Sequence, residues 1–113
     1  MRLLQIIPTD GVRLFGQIVK KEIELNQRNL GTFYCSGPKE MNRAKWAHRK
    51  YKGWMKLQRA EGEVVTAEIR SRSQSSDEWQ LLHAFIGCLD RHFGDDIEAL
   101  HIHYRHVDTR KRR

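Results

Sequence analysis

The stretch from residue 54 to residue 93, WMKLQRAEGEVVTAEIRSRSQSSDEWQLLHAFIGCLDRHF, decides the fold. In its first part Met55 and Leu57 share one face of an extended arm. Val65, Ala67 and Ile69 share one face of a second arm, and Ala60-Glu61-Gly62 connects the two. Alternation of period two on both sides of a short glycine-containing link is the pattern of a β-hairpin over residues 54–70. After a polar connector that begins at Ser71 the period changes. Trp79, Leu82, Ile86, Leu89 and Phe93 recur at three- and four-residue steps, which predicts an amphipathic helix over 75–93. Ser75 with Glu78 three residues on has the form of a capping box, and Asp77 and Glu78 suit the positive end of the helix dipole. Gly94 suits its end.

Working outward, Leu100, Ile102 and Tyr104 alternate with His101, His103 and Arg105, so a last strand is expected over 97–105. Toward the N-terminus, Leu3 to Ile7 is a short apolar run ended by the turn residues Pro8-Thr9-Asp10-Gly11. Leu30 to Cys35 is a further strand candidate, closed by Ser36-Gly37-Pro38. Val12 to Leu25 fits either period; the turn before it and its β-branched residues favour a strand. The expected fold is α+β: an antiparallel sheet of about five to six strands packed on one long helix, with the last strand returning into the sheet. Residues 1–107 are expected to form a single domain and 108–113 a basic, disordered tail. Leu81, Phe85 and Cys88 give the helix more apolar side chains than one stripe needs. Burial against the sheet accounts for them most simply, and a homodimer is the other use.

The totals agree with one globular domain. The chain has 113 residues, 39% hydrophobic and 31% charged, a composition on the polar side but short of the disordered class. No stretch approaches the roughly 20 apolar residues of a membrane span, and the N-terminal run lacks a small-residue cleavage site. Cys35 and Cys88 lie far apart with no CxxC, so a cytoplasmic protein with two buried thiols is expected.

Charge is concentrated in one place. Residues 39–59, KEMNRAKWAHRKYKGWMKLQR, hold eight Lys/Arg against the single acid Glu40, a balance of +7 that equals the net charge of the whole chain. Trp46, His48, Tyr51 and Trp54 are set among those cations. Cations spaced between flat rings suit a polyanion whose bases stack, since charges hold phosphates while rings take bases. The expected function is therefore binding of nucleic acid, RNA or DNA, without catalysis and without a cofactor. The expected site is Lys45, Trp46, His48, Arg49, Lys50, Tyr51, Lys52, Trp54 and Lys56. Lys45, Arg49, Lys50, Lys52 and Lys56 pair with phosphates in this reading, and Trp46, Tyr51 and Trp54 stack. An extended Lys45 to Lys50 turns Trp46, His48 and Lys50 one way and Lys45, Ala47 and Arg49 the other. The competing reading is an interaction module that docks an acidic protein through the same patch. The two differ in one requirement: stacking needs exposed indoles.

Six histidines raise the question of a metal. His101 and His103 leave one face of a strand together, a geometry able to hold a cation between two imidazoles. The triplet His101-Ile102-His103 resembles the His-hydrophobe-His motif of the HUH single-strand endonucleases, which hold a divalent metal and attack DNA with a tyrosine. The resemblance covers three residues. In that family the nucleophilic tyrosine generally comes from a helix later in the chain, whereas here only the tail follows and Tyr104 sits on the opposite face of the same strand. The expectation is therefore an outward face of a half-buried strand, with no metal site. No Gly-rich phosphate loop and no GxSxG occurs, and no other catalytic set stands out.

Overall fold

Alternation carries directly into the hairpin. Met55, Leu57, Val65, Ala67 and Ile69 are all buried, while Lys56 and Gln58 between them are exposed. The computed structural model describes residues 1–38, 40–72 and 75–104, the side chain of Ser75 excepted. The expected tail, the domain boundary at 107, Arg105 and the capping role of Ser75 lie outside the described residues. The elements are β1 (Arg2–Pro8), α1 (Leu14–Gln27), β2 (Phe33–Cys35), β3 (Arg43–His48), β4 (Trp54–Arg59), β5 (Val65–Arg70), α2 (Ser75–Phe93) and β6 (Ile97–Tyr104). The strands form one six-stranded antiparallel sheet in the order β2-β3-β4-β5-β1-β6. The fold is α+β, with β6 returning beside β1 after the long helix.

Residues 12–25 correct the sequence reading: the segment is helix α1, not a strand. Its buried side chains, Leu14, Phe15, Ile18 and Glu22, follow helical spacing, and the three apolar ones enter the same core as the sheet. The helix ends in an exchange of backbone bonds around Asn29, which lies at φ 58. Leu30 N–H donates to the Leu25 carbonyl (2.8 Å) and Asn29 N–H to the Asn26 carbonyl (3.2 Å), the two bonds of a Schellman stop with asparagine at the left-handed position. That stop consumes residues 28–30, so the strand expected from Leu30 begins only at Phe33.

Both helices bury their stripes on one face of the sheet. Leu81, Leu82, Phe85, Leu89 and Phe93 of α2 join Leu4, Ile6, Phe33, Trp46 and the hairpin residues in one cluster. The stripe of α2 therefore centres on Leu81 and Phe85. Trp79, expected within it, is 44% exposed. α2 ends at Phe93 and passes into a 3-10 turn, Gly94–Asp96, rather than stopping at a left-handed glycine. At the far edge of the sheet Leu100, Ile102 and Tyr104 share the helix side, as the alternation implies. Ile102 and Tyr104 nonetheless stay exposed, because the buried helix stripe packs on strands farther in. Cys35 and Cys88 are half-buried rather than enclosed. Among the described residues, no helix is long and apolar enough to cross a membrane.

Candidate nucleic-acid interface

One-sided helix packing leaves the opposite sheet face without a helix among the described residues, and pairing register arranges that face in rows. One row runs Lys45, Lys56, Glu68, Leu3, His103 across five strands. The next runs Arg43, Gln58, Thr66, Gln5, His101. A third joins Tyr34 to Ala47 and Trp54 to Arg70, and the β3–β4 register carried one residue on sets Ala47 beside Trp54. Tyr34 and Trp54 thus stand two strands apart, about 10 Å at the usual strand spacing. Only a methyl side chain lies between them.

Trp54 is half-buried, with the Lys45 ammonium 5.5 Å and the Arg72 guanidinium 5.7 Å from its ring centroid. The Arg49 guanidinium lies 5.1 Å from the Tyr34 ring. It is held there by bonds from Nε to the Gly31 carbonyl (2.9 Å) and from Nη2 to Asn26 Oδ1 (2.7 Å). Asn26 in turn donates through Nδ2 to the Phe33 carbonyl (3.0 Å) and to Glu22 Oε2 (2.8 Å), so the end of α1 fixes Arg49 against β2. Lys45 and Lys56 face each other directly, a like-charge pair that opposes pairing unless an anion lies between them. Two acids accompany the patch: Glu68 lies 3.6 Å from Arg70, and Glu40 lies 3.1 Å from Arg43.

The expected site residues separate into three groups. Lys45, Trp54 and Lys56 come together on the open face with Arg49 at its margin, and the loop after β3 carries Lys50 and Lys52, both exposed. Trp46 is a correction: it is 3% exposed, packed between Phe33 (5.9 Å) and Phe85 (6.0 Å). Its ring stands opposite Met55, so it belongs to the core and has no face for a base. His48 and Tyr51 turn to the helix side as well. They stack on each other at 4.7 Å, and His48 Nδ1 accepts from Lys50 N–H (2.9 Å) and Tyr51 N–H (3.2 Å). Tyr34, Arg43, Arg70 and Arg72 are the additional members of the face. Arg43 begins β3, Tyr34 and Arg70 lie on β2 and β5, and strand parity finds these three once the core side of each strand is known; Arg72 follows β5 and is placed by its contact with Trp54.

His101 and His103 also lie on this face, across from Gln5 and Leu3. Among the described residues no group of three or more His, Cys, Asp and Glu side chains is placed to hold a metal.

Burial and the neighbouring Lys50 push the His48 imidazole below its ordinary value near 6.5. Burial first, then Lys21 and Arg91, push His92 the same way. In the unfolded chain both take a proton near the ordinary value, and in the folded chain only at lower pH. Below about pH 6.5 the unfolded state therefore binds more protons, and stability falls as pH falls through that window. The urea midpoint is expected to drop between neutral and mildly acid pH, and to drop less in His48→Gln. Equal pH slopes in the two proteins would remove His48 as a contributor.

No family model, curated protein or solved structure matches the chain.

Proposed function

We propose that the chain binds single-stranded nucleic acid on the open face of β2 to β5, without chemistry of its own. The observation that carries this is Trp54, a half-buried ring with two cations within 6 Å of its centroid, on a sheet face without a helix among the described residues. Stacking on such a ring contributes roughly 1–3 kcal/mol per base and tolerates any sequence. Tyr34, with Arg49 against it, offers a second platform across Ala47. Lys45 and Arg72 lie against the Trp54 ring, and Lys56, Arg43 and Arg70 stand on the same sheet face to meet phosphates. Lys50 and Lys52 extend the charge beyond the end of β3. A cytoplasmic setting suits the two free thiols and the polyanionic ligand.

The test is tryptophan fluorescence during titration with a mixed-sequence single-stranded oligonucleotide at several salt concentrations. Quenching is expected, with log affinity falling linearly in log salt at a slope near −0.7 for each phosphate neutralised. Four or five contacts give a slope of about −3. Salt-dependent binding that leaves the emission of Trp54 unchanged would shift the reading to docking of an acidic protein, where charge acts and the ring does not. No change at low salt would overturn the nucleic-acid reading and leave the interaction module that docks an acidic protein.

A further inference from the structure

Behind the sheet, on the helix side, a cavity of about 440 Å³ opens between α1, α2 and the β2–β3 end of the core. That volume lies in the range of small-molecule sites. Its accessible apolar wall is Leu25, Leu30, Tyr51, Ala84 and Cys88, with the buried Phe33, Trp46 and Phe85 behind it. Its mouth is cationic. Lys21 comes from α1, Lys50 from the loop after β3 and Arg91 from α2. Glu22 is the one acid among the lining residues, and Asn26 donates to its Oε2 at 2.8 Å. Lys21 shares its charge with Glu24 at 3.5 Å; Lys50 and Arg91 face no acid at ion-pair distance among the described residues.

Three cations brought to one opening from three separate elements raise the local potential; at the same mouth burial first, and then Lys50 at His48 and Lys21 with Arg91 at His92, lower the basicity of the two imidazoles. Gly87 lies on α2 at the rim of the cavity; it is exposed, and a Cβ built there meets nothing within 4 Å, so a longer side chain introduced there has room to reach over the mouth.

We propose that this cavity binds a small organic anion, an aromatic or branched aliphatic body bearing one carboxylate, sulfonate or phosphate group. The body lies against Leu30, Tyr51, Ala84 and Cys88, and the acid group meets Lys50 and Arg91 at the mouth, with Lys21 beside them. The charge at the mouth repels cations. Cys88 lines the cavity, but burial pushes its thiol up, more than Arg91 offsets. It stays protonated at neutral pH and serves as wall rather than nucleophile.

The experiment uses ¹⁵N-labelled full chain titrated with 2-naphthoate and, in parallel, with the uncharged 2-naphthamide. Saturable amide shifts are expected at His48, Gly87 and Cys88, with the acid binding about five- to tenfold more tightly than the amide at low salt. Gly87→Leu fills the opening and is expected to keep the folded spectrum while losing both sets of shifts. Lys50→Gln with Arg91→Gln is expected to remove the preference for the acid and leave the amide's affinity in place. Absence of saturable shifts at millimolar naphthoate, equal affinity for acid and amide, or undiminished binding in Gly87→Leu would each overturn the assignment. Oligonucleotide binding by Gly87→Leu is expected to match the parent chain, since the two surfaces lie on opposite sides of the sheet. Failure at one surface is thereby distinguished from failure at the other.

Discussion

Alanine in place of Trp46 is expected to unfold a large part of the population, whereas alanine in place of Trp54 should leave the fold standing and remove most nucleic-acid affinity. The two indoles are eight residues apart within one basic segment, yet their surroundings are opposite. Trp46 is 3% exposed and packs edge-on against Phe85 and tilted against Phe33. Truncating a buried tryptophan costs about 3–5 kcal/mol through lost transfer energy and the void left behind. That is a large share of the 5–15 kcal/mol that holds an ordinary domain together. Trp54 loses far less in the folded state: part of its area and two cation–ring contacts with Lys45 and Arg72, each worth about 0.5–1 kcal/mol near the surface. What it loses in binding is one stacking platform, which lowers oligonucleotide affinity by roughly ten- to a hundredfold. Urea melts and oligonucleotide titrations on the two variants read these effects separately. Parental affinity in a well-folded Trp54→Ala would rule out the sheet face as the binding surface.

Gly53→Ala is expected to lower stability by about 3 kcal/mol or more, from a position that makes no side-chain contact at all. The residue sits at φ +106, a conformation that L side chains rarely adopt, and holding a non-glycine residue in such a region costs about 1–3 kcal/mol. Space adds to the strain, because a Cβ there would lie 2.4 Å from the Arg70 carbonyl oxygen and 3.4 Å from a Leu81 methyl. The obstacle is backbone, which cannot swing aside as a side-chain tip can. Relief requires the start of β4 to move away from β5, breaking the Trp54–Arg70 pair. The informative control is Gly62→Ala. Gly62 also has a positive φ, +71, but a Cβ there meets nothing within 4 Å, so only the left-handed penalty of about 1–2 kcal/mol applies. Urea midpoints should therefore rank parent, Gly62→Ala, Gly53→Ala. Equal losses for the two variants would remove the close approach to Arg70 as the cause.

The elements that could be read from sequence are those whose pattern and boundaries agree. In β4 and β5 five apolar residues alternate on either side of a glycine turn, and only a hairpin buries all five together. In α2 the three- and four-residue steps extend over about four turns, long enough to exclude a strand. α1 has the same period but no start signal. Its N-cap is Arg13, which makes no side-chain bond, and its first turn holds no acid and its last turn no base. Its stop is made by Asn29 rather than by glycine. Local β-branched content therefore favours a strand, and tertiary burial of Leu14, Phe15, Ile18 and Glu22 overrides it. The site divides along a similar line. Parity within β3 separates Trp46 from Lys45, but nothing local says which side of the strand meets the core. That is settled by Trp46 lying opposite Met55 in the neighbouring strand, a register set by the loop from Arg49 to Gly53. Tyr34, Arg70 and Arg72 lie outside the basic segment, so proximity in sequence could not collect them; Arg43 lies within it, and strand parity with Lys45 places it on the same face.

The position of β1 has a consequence for how the chain reaches this structure. The first strand lies inside the sheet and pairs only with β5 and β6, the two strands made last. Until those emerge, Leu4 and Ile6 have no neighbours in the sheet, and the four strands from β2 to β5 can assemble as a meander without them. Joining β1 requires closing a loop that spans most of the chain, and such non-local pairing is slow compared with helix or hairpin formation. The expected order of events is meander and α2 first, then insertion of β1 and docking of β6 as one late step. During synthesis, the outer edge of β1 stays without its second partner, β6, until nearly the whole described chain has left the ribosome.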